Sequence, residues 1–387
     1  MKRFLILVLF FVFVLPVNAL EFDIKSTNAI LYNYNLDEVI YEKNSNEKVK
    51  IASLTKIMTT TVAIENIDNL NEEVTITYEM LKGLIEENAS VVGYRIGDRI
   101  TYKDLLYGSL LPSGADATRA LAISIAGSEE EYVKLMNKKA KELNMNNTIF
   151  TNSSGLDTNN QYSTVSDVLI LLKYALQNET FKEIYTTFKY KDLNSTLNKL
   201  LNNYNIQNKY IKGAKTGYTD LAGYCLSSYS NDNNIEYLLI TTGVYEDYPY
   251  SVVDHNQILS YMFENYKYGE IKPIIKIDNK YSNEDIEIKF DTKDYLYKDK
   301  LYYEYEGLSQ ISYKDKNKLI GTLKIYIDDD IEKIDVYAPN DIEINYLLIL
   351  RKYFYIPVIL IVLGGIYGYR NHRRRTTRNK LLHNNQR

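Results

Sequence analysis

The residues with the clearest chemical potential are a serine and a lysine three positions apart, Ser53 and Lys56, in a chain of 387 residues with only three histidines. His255 lies in the body of the chain, whereas His372 and His383 fall in a basic C-terminal tail. A Ser-His-Asp triad is therefore disfavoured, since it needs a histidine as its general base. Positions i and i+3 of a helix share one face, so the pair predicts a hydroxyl nucleophile activated by an amine.

A helix that starts at this pair is predicted over residues 52–64, with Ile51, Ile57 and Ile64 as buried positions and Ser53 as a cap of its first turn. Other elements are predicted from apolar periodicity and turn residues: a hairpin at 29–33 and 39–42, helices at 102–110, 114–126, 129–143, 164–177 and 252–266, and strands at 212–217, 223–230 and 235–243. Short turns join these strands, which predicts an antiparallel sheet.

Beyond residue 270 the pattern changes to short alternating strands, at 274–277, 286–290, 302–306, 323–327 and 334–337. We interpret 270–340 as a separate small β domain without a catalytic constellation. The single cysteine, Cys225, allows no internal disulfide and is expected to serve packing. His255 is expected at the surface or at a cap of the helix that closes the first domain.

Two further motifs follow the serine-lysine pair in the chain. Ser113-Gly114 lies at a turn that opens a helix, and Lys215-Thr216-Gly217 lies on a predicted strand. Together, the motifs resemble the active site of penicillin-binding serine DD-peptidases and serine β-lactamases. The surrounding segments narrow this resemblance to the low-molecular-mass D-alanyl-D-alanine carboxypeptidases, peptidase family S11, over roughly residues 28–266: IASLTKIMT (51–59), DLLY (104–107), LPSG (111–114), NSSGL (152–156), YST (162–164), KTGYT (215–219) and AGYC (222–225).

The resemblance implies an α/β, serine β-lactamase/DD-peptidase-like domain, with an antiparallel sheet flanked by helices, followed by the small all-β domain and a C-terminal transmembrane helix. It also implies the roles of the site residues. Ser53, Lys56 and Ser113 would be catalytic, and the substrate would be bound by Lys215, Thr216, Gly217 and Tyr218. The backbone N–H groups of Ser53 and Tyr218 would form the oxyanion hole.

For Lys56 to accept the proton of Ser53 it must be neutral, although the pKa of a free lysine is near 10.4. Burial and the second cation, Lys215, are the expected causes of a lowered pKa. Lys215 and Thr216 are also expected to hold the terminal carboxylate of the substrate. One position departs from the family, whose second motif usually reads Ser-x-Asn. Here Ala115 stands in place of the asparagine, and Asp116 should not replace it, because one helical residue is a rotation of about 100°.

The two ends of the chain predict its compartment. Residues 1–19 combine a charged start, an apolar run and small residues before Ala19, which predicts a cleaved secretory signal peptide, with an uncleaved anchor as the alternative. A transmembrane helix is predicted at 347–369, around an uncharged stretch at 353–369. The tail 370–387 holds seven basic residues and no acid, which favours a cytoplasmic tail over a nucleic-acid site.

The net charge is −4, and because the signal peptide and the tail hold much of the positive charge, the part between them is more acidic and a poor partner for nucleic acid. Its few histidines and single cysteine predict no metal site and no cofactor. We expect a membrane-anchored, outward-facing serine-type D-Ala-D-Ala carboxypeptidase. It would remove the terminal D-alanine of peptidoglycan stem pentapeptides through an acyl-enzyme on Ser53, and β-lactams would inhibit it.

Two alternatives remain. A β-lactamase would need rapid deacylation, commonly by a glutamate-bound water, and no Glu-x-x-Leu-Asn segment lies between Ser113 and Lys215. An attenuated cell-wall-binding homologue is suggested by Ala115.

Overall fold

The structure is a computed structural model that describes residues 20–384, without the side chains at 348, 351–357 and 374–384. These residues divide into two compact units, the first ending at Lys267 and the second starting at Tyr268. The predicted signal peptide, 1–19, lies outside the described residues.

The first unit is built on an antiparallel sheet in which five strands follow the order β2-β1-β9-β8-β7. The predicted hairpin and the three later strands are all part of it, so the prediction of an antiparallel sheet is confirmed. The strands of this unit are β1 Asn28–Asn33, β2 Glu38–Lys43, β3 Glu73–Thr75, β4 Arg99–Thr101, β5 Lys189–Tyr190, β6 Leu193–Asn194, β7 Ile211–Thr219, β8 Gly223–Asp232 and β9 Ile235–Val244.

The helices of the first unit include every one predicted, together with three short helices that the periodicity did not predict. Those three are α2 (Tyr78–Leu81), α7 (Glu179–Tyr185) and α8 (Thr196–Asn203). The helices are α1 Thr55–Glu65, α2 Tyr78–Leu81, α3 Tyr102–Leu110, α4 Ala115–Ala126, α5 Glu129–Glu142, α6 Val165–Ala175, α7 Glu179–Tyr185, α8 Thr196–Asn203 and α9 Tyr250–Asn265.

Helix α1 is the central helix, and it packs against α3, α4, α5 and α6. Of the predicted core positions, Ile51 and Ile57 are buried, and Ile64 packs against the core while partly buried. The helix also buries hydroxyls, which bond to backbone carbonyls: Thr59 Oγ1 donates to the carbonyl of Ser153 at 2.6 Å. A helix surrounded on all sides in this way can hold a polar residue out of water.

The start of α1 differs from the prediction. Ser53 lies in a 3-10 turn, Ala52–Leu54, that precedes the helix, and no side-chain hydrogen bond caps α1. The prediction that Ser53 caps the first turn is therefore wrong. Its hydroxyl is directed to Lys56 instead.

The expectation for His255 is also wrong, because this residue is fully buried between α9 and the sheet. Its two ring nitrogens lie 2.8 Å from Ser228 Oγ and 3.0 Å from Thr241 Oγ1. Burial lowers its pKa from 6.5 to about 3, so the imidazole is neutral at physiological pH. Ser228 in β8 and Thr241 in β9 supply the hydrogen-bond partners that make this burial possible. Cys225 is buried in the core, as expected.

The second unit consists of short strands and one long helix. Its strands are β10 Lys267–Glu270, β11 Ile274–Asn279, β12 Ile286–Lys289, β13 Asp294–Tyr297, β14 Leu301–Gly307, β15 Gln310–Ile311, β16 Leu319–Ile327 and β17 Asp330–Tyr337, and helix α10 is Tyr346–Asn384. The inward residues of alternating strands form its core, among them Ile275, Ile277, Leu323, Ile325 and Val336.

The predicted transmembrane segment, 347–369, falls within α10. Among the helices that the structure describes, none is both long enough and apolar enough to span a membrane.

Candidate active site

The serine-lysine pair meets at the start of α1. Lys56 Nζ lies 2.9 Å from Ser53 Oγ, within hydrogen-bond distance. The preceding residue, Ala52, has φ +44°, a left-handed conformation that few residues other than glycine adopt. This strained turn leaves Ser53 half-buried and facing the lysine, which lies one turn further on.

Lys56 is only 2 % exposed, and its second hydrogen bond goes to the backbone carbonyl of Ser154, at 2.5 Å. The turn that presents this carbonyl is held by Asn152, whose Oδ1 accepts the N–H groups of Ser154 and Gly155 at 3.2 and 2.7 Å. Gly155 has φ +84°, and a Cβ there would lie 2.0 Å from the carbonyl oxygen of Ala52. Only glycine therefore allows this turn to pack on the nucleophile's turn.

The pKa of Lys56 is lowered to about 7 by burial, and the negative charge of Asp116 opposes this shift. The fall from 10.5 corresponds to about 5 kcal/mol between the charged and neutral forms. The predicted effect of burial is thus confirmed. The expected repulsion between Lys56 and Lys215 acts on the pKa of Lys215, which it lowers, whereas burial is the main cause of the shift at Lys56.

Ser113 and Lys215 form a second serine-lysine pair. Lys215 Nζ donates to Ser113 Oγ at 3.0 Å and to the carbonyl of Thr216 at 2.7 Å. Lys215 is fully buried, and Ser113 is 4 % exposed and has φ +65°. Burial holds the pKa of Lys215 well below its usual value, and the charge of Lys56 lowers it further. The repulsion shows that the two pairs share one site.

Gly217 brings strand β7 against the nucleophile. A Cβ at this position would lie 3.0 Å from the backbone nitrogen of Ser53 and 3.1 Å from the Cβ of Ala52. The strand and the 3-10 turn therefore leave little room for a side chain at this position. Tyr218, the next residue, has a side chain that is 53 % exposed, beyond this contact.

The hydroxyl of Thr216 is hydrogen-bonded to the hydroxyl of Thr196, the first residue of α8. The backbone N–H of Thr196 in turn donates to the carbonyl of Leu111 at 2.8 Å, two residues before Ser113. Thr196 therefore links the second and third motifs, and the sequence analysis did not identify it. A Ser-Thr pair at a helix start was the available signal, since Ser195 caps α8.

Ala115 and Asp116 open helix α4 beside Ser113. Ala115 is 2 % exposed, and its methyl group offers no hydrogen bond. The carboxylate of Asp116 does not take the place of the family's asparagine. Its oxygens accept the N–H groups of Val92, Gly93 and Tyr94 at 2.9, 2.9 and 3.3 Å. Asp116 thus fixes the loop at 92–94 to the second motif, as a carboxylate at a helix N-terminus readily does.

With this geometry in place, the chain can be compared with known proteins. The sequence model of peptidase family S11, D-alanyl-D-alanine carboxypeptidase, matches residues 16–245, more than half of the chain. The chain belongs to this family. The three motifs and the turns that support them all lie inside the matched segment.

Individual relatives agree with the family. D-alanyl-D-alanine carboxypeptidase DacF of Bacillus subtilis is 35% identical over 223 residues, which is 57% of this chain and 57% of the relative. DacC of Escherichia coli is 34% identical over 234 residues, 56% of each chain. The chain thus spans little more than half the length of these relatives.

Solved structures extend the similarity in fold. The crystal structure of DacD from Francisella tularensis has a TM-score of 0.65 at 21% identity, and it matches 84% of this chain and 95% of its own. This likeness confirms an α/β fold of the DD-peptidase and penicillin-binding protein type.

Asp116→Asn should lower the free energy of unfolding by about 1–3 kcal/mol, because an amide has one acceptor oxygen and would leave partly buried N–H groups of the loop at 92–94 unpaired. Urea denaturation measures this loss, and hydrogen exchange of the amides at 92–94 should accelerate. Asp98→Asn is the matched control, since among the described residues the carboxylate of Asp98 accepts only the N–H of Arg95 in the same loop. Equal losses in the two variants would contradict the role given to Asp116.

Proposed function

We propose that the protein is a serine-type D-Ala-D-Ala carboxypeptidase that removes the terminal D-alanine from peptidoglycan stem pentapeptides and is inhibited by β-lactams. The observation that carries the proposal is the 2.9 Å contact between Ser53 Oγ and Lys56 Nζ, with the pKa of the lysine lowered to about 7. A neutral amine at that distance can take the proton of the hydroxyl.

In the first step, Ser53 Oγ attacks the carbonyl carbon between the two D-alanines, and its proton passes to Lys56 Nζ. The backbone N–H groups of Ser53 and Tyr218 would stabilise the oxyanion, a proposal supported by the approach of Gly217 to Ser53. The C–N bond then breaks, and the proton is delivered to the departing amine, which leaves as D-alanine. Ser113 and Lys215 are placed to relay that proton.

In the second step, water attacks the ester carbonyl of the acyl-enzyme and restores the hydroxyl of Ser53 while releasing the shortened peptide. Lys215 and Thr216 would hold the terminal carboxylate of the substrate in the first step, which explains preference for a free C-terminus. Ala115 removes one hydrogen bond that the family's usual asparagine would offer, so we expect slower or altered turnover but not the absence of reaction.

The site favours this reaction over β-lactam hydrolysis. Among the described residues, the hydrogen-bond partners of Lys56 are Ser53 and the carbonyl of Ser154, and no carboxylate bonds to either member of the pair. A carboxylate that activates water for rapid deacylation therefore has no counterpart in these contacts. Acylation by penicillin is expected to persist.

Ser53→Ala should abolish both the penicillin adduct and the release of D-alanine from a diacyl-D-Ala-D-Ala peptide, because the nucleophile is lost. Mass spectrometry detects the adduct, and an amino-acid assay detects D-alanine. Ser124→Ala, at the far end of α4, is the control and should keep both. Absence of an adduct in the folded native chain would rule out the proposed acyl-enzyme. Rapid turnover of the drug would indicate a β-lactamase, and an adduct without D-alanine release would indicate an attenuated homologue.

The rate of acylation by penicillin should rise with pH and reach half of its maximum near pH 7, because Lys56 accepts a proton only when neutral and its pKa is lowered to about 7. Below this value the ammonium form predominates, and well above it the rate should be constant. Acylation rates between about pH 5.5 and 9 at fixed ionic strength test this, with unfolding followed over the same range as the control. A midpoint near the pKa of a free lysine would contradict the role of Lys56.

The proposal extends to the organisation of the whole chain. In this proposal the chain comprises a signal peptide at 1–19, a catalytic domain at 25–268, a small β domain at 270–340, a transmembrane helix at 347–369 and a cytoplasmic tail at 370–387. The apolar stretch and the basic residues after it support an outward-facing catalytic domain. A substrate in the cell wall also requires that location.

Membrane fractionation tests the anchor. The full chain should remain in the membrane pellet after a carbonate wash, and a chain that ends at residue 346 should be released, because it lacks the apolar stretch. Release of the full chain under the same wash would show that 347–369 is not an anchor.

A further inference from the structure

An exposed tyrosine-carboxylate pair lies just beyond the third motif. The hydroxyl of Tyr218 donates to Asp220 Oδ1 at 3.3 Å, and the ring of Tyr224 lies 4.6 Å from that of Tyr218. The side chain of Tyr218 is 53 % exposed, and Asp220 is also exposed. The pair offers solvent an aromatic face beside a negative charge.

The first unit contains four further tyrosine-carboxylate pairs, and in each of these a lysine is ion-paired with the carboxylate. In each case a tyrosine hydroxyl bonds to a carboxylate, and a lysine ammonium lies 2.6 to 3.0 Å from the carboxylate and 4.1 to 5.2 Å from the centre of the tyrosine ring. The four sets are Tyr32, Asp37 and Lys173; Tyr174, Glu65 and Lys139; Tyr190, Asp104 and Lys191; and Tyr210, Glu264 and Lys209.

The ammonium in these sets gains both an ion pair and a cation-π contact. Asp220, by contrast, has no ion pair among the residues that the structure describes. Two other tyrosine-carboxylate pairs in the described part of the first unit also lack a lysine on the carboxylate, but their tyrosines, Tyr107 and Tyr229, are buried. Tyr218 with Asp220 is therefore an accessible cation site for which the described residues of the chain supply no cation.

The path of the proposed substrate leads to this pair. If Lys215 and Thr216 hold the terminal carboxylate and the N–H of Tyr218 faces the scissile carbonyl, the peptide extends along the edge strand β7 towards its C-terminal end. Extended residues advance about 3.3 Å each, so the residue before the two D-alanines reaches the region of Tyr218 and Asp220.

We propose that Tyr218 and Asp220 form a subsite for the side-chain ammonium of the residue that precedes the two D-alanines. The inference rests on the proposed function and adds a specificity to it: stem peptides with a free side-chain amine at that residue are preferred. Both partners are exposed, so the preference is modest, about fivefold in kcat/KM at low salt.

The test compares two peptides that differ only in that charge, Nα-acetyl-L-Lys-D-Ala-D-Ala and Nα,Nε-diacetyl-L-Lys-D-Ala-D-Ala. D-alanine release by the full chain should be about fivefold more efficient, as kcat/KM, with the free amine. The ratio should shrink as ionic strength rises, because exposed charges are screened. Asp220→Asn should bring the ratio close to one, whereas Asp68→Asn, which removes an exposed negative charge elsewhere in the unit, should leave it at the native value.

Equal efficiency for both peptides in the native chain would overturn the subsite and leave the proposed function standing, because the diacetylated peptide reports the reaction by itself. A preference that survives Asp220→Asn would also overturn it. Release of D-alanine from neither peptide would overturn the proposed function and this inference with it.

Discussion

The site depends on two lysines that are buried without a carboxylate to pair with. Lys56 and Lys215 are 2 % and 0 % exposed, and their hydrogen bonds in the described part of the chain go to serine hydroxyls and backbone carbonyls. A buried ammonium without a counter-charge is strongly destabilised, so the neutral amine is favoured. A carboxylate in direct contact would stabilise the ammonium and remove the base. Asp116 acts on Lys56 as a charge, but its oxygens are occupied by backbone N–H groups.

This burial requires backbones to approach one another very closely. Ala52 and Ser113 adopt left-handed conformations at the two serines, and conformations of this kind cost of order 1–3 kcal/mol each. Gly155 and Gly217 allow a turn and a strand to pack against the nucleophile. A Cβ at position 155 would collide with the backbone of Ala52, and one at position 217 would make a tight contact with the backbone of Ser53. The helices that pack around α1 hold these strained turns in place.

The sequence predicts much of this fold because its signals are local. Apolar periodicity located the central helix and the sheet, and the motifs located Ser53, Lys56, Ser113 and Lys215. The contacts that complete the site are different in kind. The carbonyl of Ser154 is a backbone atom that any residue would supply, so its position depends on the fold and not on residue type. Thr196 reaches Thr216 only because α8, a helix of just two turns, starts beside β7. His255 was misjudged for the same reason, since its burial depends on hydroxyls of two distant strands.

The lysines of the first unit show how environment decides the use of one residue type. At the surface, lysine remains charged and is paired with a tyrosine-bound carboxylate, in an arrangement that recurs around the domain. In the interior, lysine faces hydroxyls and carbonyls, and burial lowers its pKa. The boundary between these two regimes runs along strand β7, where Lys215 is buried and Tyr218, three residues later, is exposed. A substrate that extends along this strand therefore meets a neutral, desolvated environment at its reacting bond and an anionic, aromatic one a few ångströms away. Reactivity and charge recognition can thus be tuned by different residues of the same strand.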